Sequence, residues 1–197
     1  SQLPDGAVLV VGAGSSGVQI AEELLSAGRC VYLSVGPHDR PPRSYRGRDF
    51  CWWLGVLGKR DADTRGPGTE HVTIAVSGAH GGYTIDFRRL AARGMILVGR
   101  TQSHDAGVVH FAQDLGKNLA QGDANYFSLL DEADAYLARN GIELEEEPAA
   151  LEIPPDSDCI TNPLQSATQS KYMNYHHAAK QAACATAGKH GCGGGCP

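Results

Sequence analysis

Apolar and polar positions fall in blocks along this chain, and the period changes from block to block. Ala7-Val8-Leu9-Val10-Val11 is an unbroken apolar run of the kind a buried strand needs. Val18-Gln19-Ile20-Ala21-Glu22-Glu23-Leu24-Leu25 then places apolar residues three and four apart, which predicts an amphipathic helix ended by Gly28. Cys30-Val31-Tyr32-Leu33-Ser34-Val35 predicts a second buried strand. Residues 49–57 predict a short apolar helix that carries both tryptophans, 59–70 a polar loop around Gly66-Pro67-Gly68, and 71–76 a strand. Residues 85–93 predict a short helix stopped by Gly94, and Met95-Ile96-Leu97-Val98 is a third buried strand, followed by Gly99-Arg100-Thr101. Residues 107–111 predict a further strand. Residues 114–140 are helix-prone, with a break expected near Gly116 and Gly122, because glycine weakens a helix interior.

Strand, helix, strand, helix, strand in that order predicts an α/β, Rossmann-type three-layer fold: a parallel sheet, a C-terminal helical segment and a poorly structured tail. Residues 1–165 are the expected domain. Residues 166–197 are polar and alanine-rich, then glycine-rich, and are expected to have little or no structure, since such sequence cannot repay its ordering entropy.

The richest chemistry lies between the first strand and the first helix. Gly12-Ala13-Gly14-Ser15-Ser16-Gly17 is G-x-G-x-x-G in strand–turn–helix context, which is the context in which the pattern means dinucleotide binding. Gly12 would let the chain turn out of the strand, Gly14 would let backbone approach a pyrophosphate, and Gly17 would let the helix lie close to the strand. Free amides and the positive end of the helix dipole would face the phosphates, with Ser15 and Ser16 as further donors.

The segment after the second strand decides which nucleotide. An NAD site usually carries an acid there. Here Ser34-Val35-Gly36 offers no carboxylate before Asp39, and Arg40, Arg43, Arg46 and Arg48 follow. A 2′-phosphate wants guanidinium groups and a hydroxyl, so NADPH is favoured, held by Ser34, Arg40 and Arg43 ahead of Arg46 and Arg48. The alternative reading of these arginines is a solvated, ion-paired loop.

Composition narrows the classes. The 197 residues carry a net charge of −5 with pI near 5.9, which speaks against general nucleic-acid binding. No stretch reaches membrane-span length and the N-terminus has no signal-peptide pattern, so the expectation is a cytoplasmic protein without membrane partners. The absence of an initiator Met and the linker-like residues 1–6 suggest a fragment. Of six cysteines, Cys30, Cys51 and Cys159 read as small buried residues or ordinary thiols. Cys184, His190, Cys192 and Cys196 do not have the paired spacing of a strong zinc site, so no metal is expected. The chain has no Tyr-x-x-x-Lys and no phosphate loop of the NTP-hydrolysing kind.

Leu3-Pro4-Asp5-Gly6 leading into the glycine motif, Gln19-Ile20-Ala21-Glu22-Glu23-Leu24, Val31-Tyr32-Leu33-Ser34-Val35-Gly36, Tyr45-Arg46-Gly47-Arg48-Asp49 and Leu97-Val98-Gly99-Arg100 together resemble the NADPH-binding region of flavin-containing monooxygenase-like oxidoreductases. The likeness runs over roughly residues 1–165. It implies an enzyme in which NADPH reduces FAD for oxygenation of a small organic substrate. That family's FAD-binding glycine motif, its Phe-x-Gly-x-x-x-His segment and its late Ala-Thr-Gly segment have no counterpart here. The resemblance therefore implies a partner for NADPH binding, an FAD-binding domain or polypeptide, that this chain does not supply. The alternative is a non-catalytic NADP-binding module or a decayed domain. No side chain is expected to act as acid, base or nucleophile, because in such chemistry the cofactors carry the reaction.

Overall fold

The computed structural model describes residues 6–60, 73–78, 81–105, 107–154 and, for the backbone, 172–174. Its centre is a parallel sheet of three strands. β1 (Val8–Val11) pairs with β2 (Val31–Ser34), and β2 pairs with β7 (Ile96–Val98), in the order β1-β2-β7. Val10 stands beside Leu33, and Leu33 beside Leu97. β2 is the middle strand, and all four of its residues are buried. A continuous apolar run suits that position, because a central parallel strand is covered on both faces.

Helix α1 (Ser15–Ser26) returns the chain from β1 to β2 and buries Val18 and Ala21. It ends as the pattern predicts: Gly28 takes φ +78, and the amides of Gly28 and Arg29 bond back to the carbonyls of Leu25 and Leu24. Helix α3 (Phe87–Ala92) precedes β7 and starts at Asp86, whose carboxylate accepts from the Arg88 amide. Side chains of α1, β2, α3 and β7 form one apolar cluster, joined by Leu115 and Leu119 of helix α4 (Leu115–Asn140).

Between β2 and α3 the chain makes short elements. They are β3 (His38–Asp39), the hairpin of β4 (Ser44–Tyr45) and β5 (Arg48–Asp49), helix α2 (Phe50–Val56), and β6 (Thr73–Ile74). The strand expected over 71–76 is thus only β6 among the described residues. It pairs parallel with β3, outside the main sheet. The strand expected over 107–111 is β9 (Val108–Phe111), which makes an antiparallel hairpin with β8 (Thr101–Asp105). Glycine at 107 supplies the turn, at φ +80.

Helix α4 runs unbroken for 26 residues, so the expected break at Gly116 and Gly122 does not occur. Packing explains this. Gly122 is buried, and a Cβ there would run into the His38 imidazole. The cost of glycine in the helix is offset by letting an aromatic ring lie against the helix backbone. Further along α4, Tyr126, Leu130, Ala133 and Leu137 pack with Tyr45 and Trp53 in a second cluster. Gly141, in the left-handed region at φ +60, ends the helix.

Tyr172–Asn174 forms β10, antiparallel to β9, inside the stretch expected to lack structure. The rest of 166–197 lies outside the described residues, and so do Cys159 and the tail cysteines and histidine. Cys30 is disulfide-bonded, which departs from its reading as a thiol, and Cys51 is exposed. Among the described residues no helix is long and apolar enough to cross a membrane.

Candidate functional site

The turn from β1 into α1 is built by three glycines. Gly12 adopts φ +99, which side-chain-bearing residues avoid, and its amide donates to the Ser34 carbonyl oxygen at 3.2 Å. Gly14 caps α1 in extended conformation and offers no side-chain cap. A Cβ at Gly17 would collide with the Gly12 carbonyl oxygen, so helix and strand meet backbone to backbone. The first intrahelical bond runs from the Val18 amide to the Gly14 carbonyl at 2.9 Å. The amides of Ser15, Ser16 and Gly17 precede it, as the first turn of any helix requires.

A cleft of about 270 Å3 opens beside this turn. Val11, Gly12 and Ala13 line it from the end of β1, Ser34 and residues 36–38 from the end of β2, and Arg100 and Thr101 from the end of β7. It therefore lies at the carboxyl ends of three parallel strands, where open α/β sheets bind ligands. Thr73 of β6 closes one side. Its Cγ2 lies 2.7 Å from where a Gly14 Cβ would stand. Gly14 therefore makes room for a neighbouring strand. The Ser15 hydroxyl is drawn into the same contact, donating to the Ile74 carbonyl oxygen at 3.2 Å and accepting from the Val76 amide at 3.3 Å. Ser16 is exposed.

The residues expected to hold a 2′-phosphate are placed differently. Ser34 lines the cleft but is 2% exposed, and its hydroxyl is saturated. It donates to the Gly99 carbonyl at 3.0 Å and accepts from the Thr101 amide and hydroxyl at 3.0 and 2.9 Å. A hydroxyl has one donor and two acceptor positions, so none is left for a ligand. Arg40 is 4% exposed. Its guanidinium donates to Asp123 at 2.8 Å and to the Ile85 carbonyl at 3.1 Å, and lies over the Tyr126 ring. Arg88 binds the other oxygen of Asp123 at 2.8 Å, so one carboxylate serves two guanidinium groups. Arg43 pairs with Asp49 and lies against Gly82, and its amide donates to Thr84 Oγ1 at 2.9 Å. Arg46 pairs with Asp134 at 2.8 Å, and Arg48 lies over the Trp52 ring. Neither Arg40 nor Arg43 is among the described residues that line the cleft. Arg40, Arg43 and Arg46 of this run are ion-paired, and Arg40 is buried rather than solvated.

His38 and Arg100 line the cleft although neither was assigned a role from the sequence. His38 is 1% exposed, and its Nδ1–H donates to the Gly36 carbonyl at 3.0 Å. Burial holds its imidazole below the ordinary value, with the Arg40 charge acting in the same direction. His38 Nε2 has no hydrogen-bond partner among the described residues. The signal for Arg100 was its place directly after the third buried strand, since a strand-end crevice draws on every strand.

A stretch of 59 residues of the chain is 54% identical to the "Uncharacterized oxidoreductase CzcO-like" of Geobacillus kaustophilus (strain HTA426). It makes up 29% of this chain and 17% of that protein. No family profile matches the chain, and no solved structure matches it. Over that stretch the chain is similar to an oxidoreductase, and the match spans about a sixth of that relative's length.

Proposed function

We propose that the chain is the NADPH-binding portion of a flavin-dependent oxidoreductase of the monooxygenase kind, in which NADPH reduces FAD for oxygenation of a small organic substrate. The observation that carries this reading is the Gly12–Gly17 turn standing beside a cleft at the carboxyl ends of β1, β2 and β7. The similarity to an oxidoreductase supports the broad class of chemistry.

The residues present fit a dinucleotide. Gly12 turns the backbone away from the strand and Gly17 brings the helix close. The amides of Ser15, Ser16 and Gly17 would then receive the diphosphate, with Gly14 at the point of closest approach and the helix dipole favouring its charge. NADPH supplies a hydride when bound. The chain's own work is to hold and orient the coenzyme and to shield its reacting end from water. FAD would be held by a domain or polypeptide other than this one.

Ser16→Asp tests the reading. A carboxylate in the first turn of α1 complements the helix dipole, so the melting temperature should hold or rise slightly. The same carboxylate repels a diphosphate, so calorimetric titration should show NADPH binding roughly tenfold or more weaker, the scale of one uncompensated charge near a ligand. Unchanged affinity would remove the diphosphate from this turn. Binding without electron transfer to a supplied flavoprotein half would leave a nucleotide-binding module in place of an enzyme portion.

A further inference from the structure

We infer that His38 is an acid-operated latch on the cleft: while its imidazole is neutral it holds one wall in place, and protonation drives the ring off α4 and frees that wall. The inference takes its ligand from the dinucleotide reading above and adds a regulation of that site. The movement itself does not depend on the ligand.

Two cleft-lining segments hang on this side chain. Gly36, Pro37 and His38 line the cleft after β2, and Thr73 lines it from β6. His38 and Thr73 are register partners in the parallel pair of β3 and β6, and the Ala75 amide donates to the Asp39 carbonyl at 2.8 Å. β6 in turn meets the glycine turn. The Ser15 hydroxyl donates to the Ile74 carbonyl oxygen and accepts from the Val76 amide. A shift of β3 therefore carries β6 with it, and with β6 the side of the cleft that meets the first turn of α1.

The ring of His38 is packed on every side. It is 1% exposed and stands edge-on to Phe87 of α3, with ring centroids 4.8 Å apart. Its Nδ1–H donates to the Gly36 carbonyl at 3.0 Å. The opposite edge faces α4. Nε2 is the ring atom nearest to where a Gly122 Cβ would stand, ahead of Cδ2 at 3.0 Å and Cε1 at 3.2 Å. Nε2 has no hydrogen-bond partner. A neutral ring tolerates that, because all it forgoes is one acceptor position. A second proton has to sit on Nε2, and there it would put a charged N–H against the helix backbone with no acceptor in place.

The charges around the ring do not rescue it. On its own strand Arg40 opposes an imidazolium and Asp39 favours one. From α4 Asp123 favours one, but Asp123 is already shared by Arg40 and by Arg88 of α3. Phe87, Thr73 and Ile74, which complete the surroundings, carry no charge. Burial outweighs the favourable set and holds the imidazole below its ordinary value. The latch is therefore shut at neutral pH and opens in acid, when the charged ring leaves its niche for water.

The test follows the full chain from pH 8 to pH 5 by two readings. The first is calorimetric binding of ADP-ribose, whose diphosphate does not titrate over this range. The second needs no ligand. It is hydrogen exchange of the Ala75 and Val76 amides, expressed as protection relative to the Val18 amide of α1, so that the intrinsic pH dependence of exchange cancels. In wild type ADP-ribose should bind roughly three- to tenfold more weakly at the acid end, within the limit of about tenfold per pH unit that one proton allows. Protection of Ala75 and Val76 should fall with the same midpoint. His38→Asn keeps a side-chain donor and cannot take the charge, so both profiles should flatten. Should that variant fail to fold, wild type decides: the His38 imidazole, titrated by NMR, must share its midpoint with the loss of protection. A flat exchange profile in wild type, an acid opening that persists in His38→Asn, or a midpoint away from that of His38 would overturn the latch. If ADP-ribose binds equally well at every pH, the latch fails and the dinucleotide reading stands. If ADP-ribose binds at no pH while protection still falls with His38, the dinucleotide reading fails and the movement stands.

Discussion

The loops that leave β1 and β2 are held in opposite ways. The Gly12–Gly17 turn closes on itself: Gly17 stands against the Gly12 carbonyl, and the Val18 amide reaches back to Gly14. The loop after β2 is held from far away in sequence. Asp123, 83 residues beyond Arg40, takes its guanidinium, and Asn125 takes its amide at 3.0 Å. Asp134 takes Arg46, and Glu147 takes the Arg46 amide at 2.7 Å. The first loop puts Gly12 and Ala13 on the cleft wall. The second pairs Arg40 and Arg46 with carboxylates of α4, and so becomes a clamp between the loop and that helix. Three of its four arginines are thus paired with carboxylates of the protein, and Arg48 lies over the Trp52 ring.

The clamp should break most severely at Asp123. Asp123→Ala leaves the Arg40 and Arg88 side chains, 5% and 11% exposed, without their shared carboxylate. Removing one partner of a buried ion pair costs about 3–5 kcal/mol, and urea unfolding should show a loss of that size. The NADPH-to-NADH affinity ratio, measured where the variant is still folded, should stay the same. A ratio that collapses with the clamp would mean that Arg40 serves the nucleotide after all, and the contrast between the two loops would disappear.

The turn should break at Gly17. Gly17→Ala drives a methyl group into the Gly12 carbonyl oxygen. Overpacking of this kind costs about 1–3 kcal/mol, part of it returned by the better helix propensity of alanine. Thermal melting should register a smaller loss than Asp123→Ala gives. The two variants should also differ in what they carry with them. Gly17→Ala should weaken NADPH and NADH together, because the diphosphate is common to both.

These two loops also mark what was legible in the chain. The β1-turn-α1 unit, β2 and β7 could be read because their causes are local: an apolar run, a helical period, and glycines at positions where a side chain does not fit. The fate of Arg40 could not be read, because its partners lie on a helix whose docking no short window reports. The same holds for Gly122. Sequence alone shows only a glycine that should weaken a helix, and the reason for it is a histidine from another element. Of the hairpin of β8 and β9, only the second strand was legible. A short apolar run gives a strand but not its direction, and direction is settled by the connection. Ser34 shows the subtler case. It lines the cleft, but its hydroxyl is already spoken for by Gly99 and Thr101.

His38 belongs to both regions, and it gives the smallest of these effects. One side of it lines the cleft, and the other packs on Phe87 and against Gly122 of α4. Burial holds its imidazole below the usual 6.5, and Arg40 adds to the depression, while the Gly36 carbonyl, Asp123 and Asp39 oppose it. The sign follows from linkage. With the folded value below the unfolded one, the unfolded chain takes up the proton first as pH falls. The fold is therefore at full strength above about pH 7 and weakens as pH drops from near 6.5 through the lower folded value. One group can contribute a slope of at most about 1.4 kcal/mol per pH unit. Urea unfolding across pH 5 to 8 should therefore show a shallower acid slope for His38→Asn than for wild type, by no more than about that ceiling. Equal slopes would assign the acid sensitivity to other histidines and would detach the cleft wall from the clamp. A shallower slope in the variant would mean that acid loosens the cleft and the α4 clamp at the same residue.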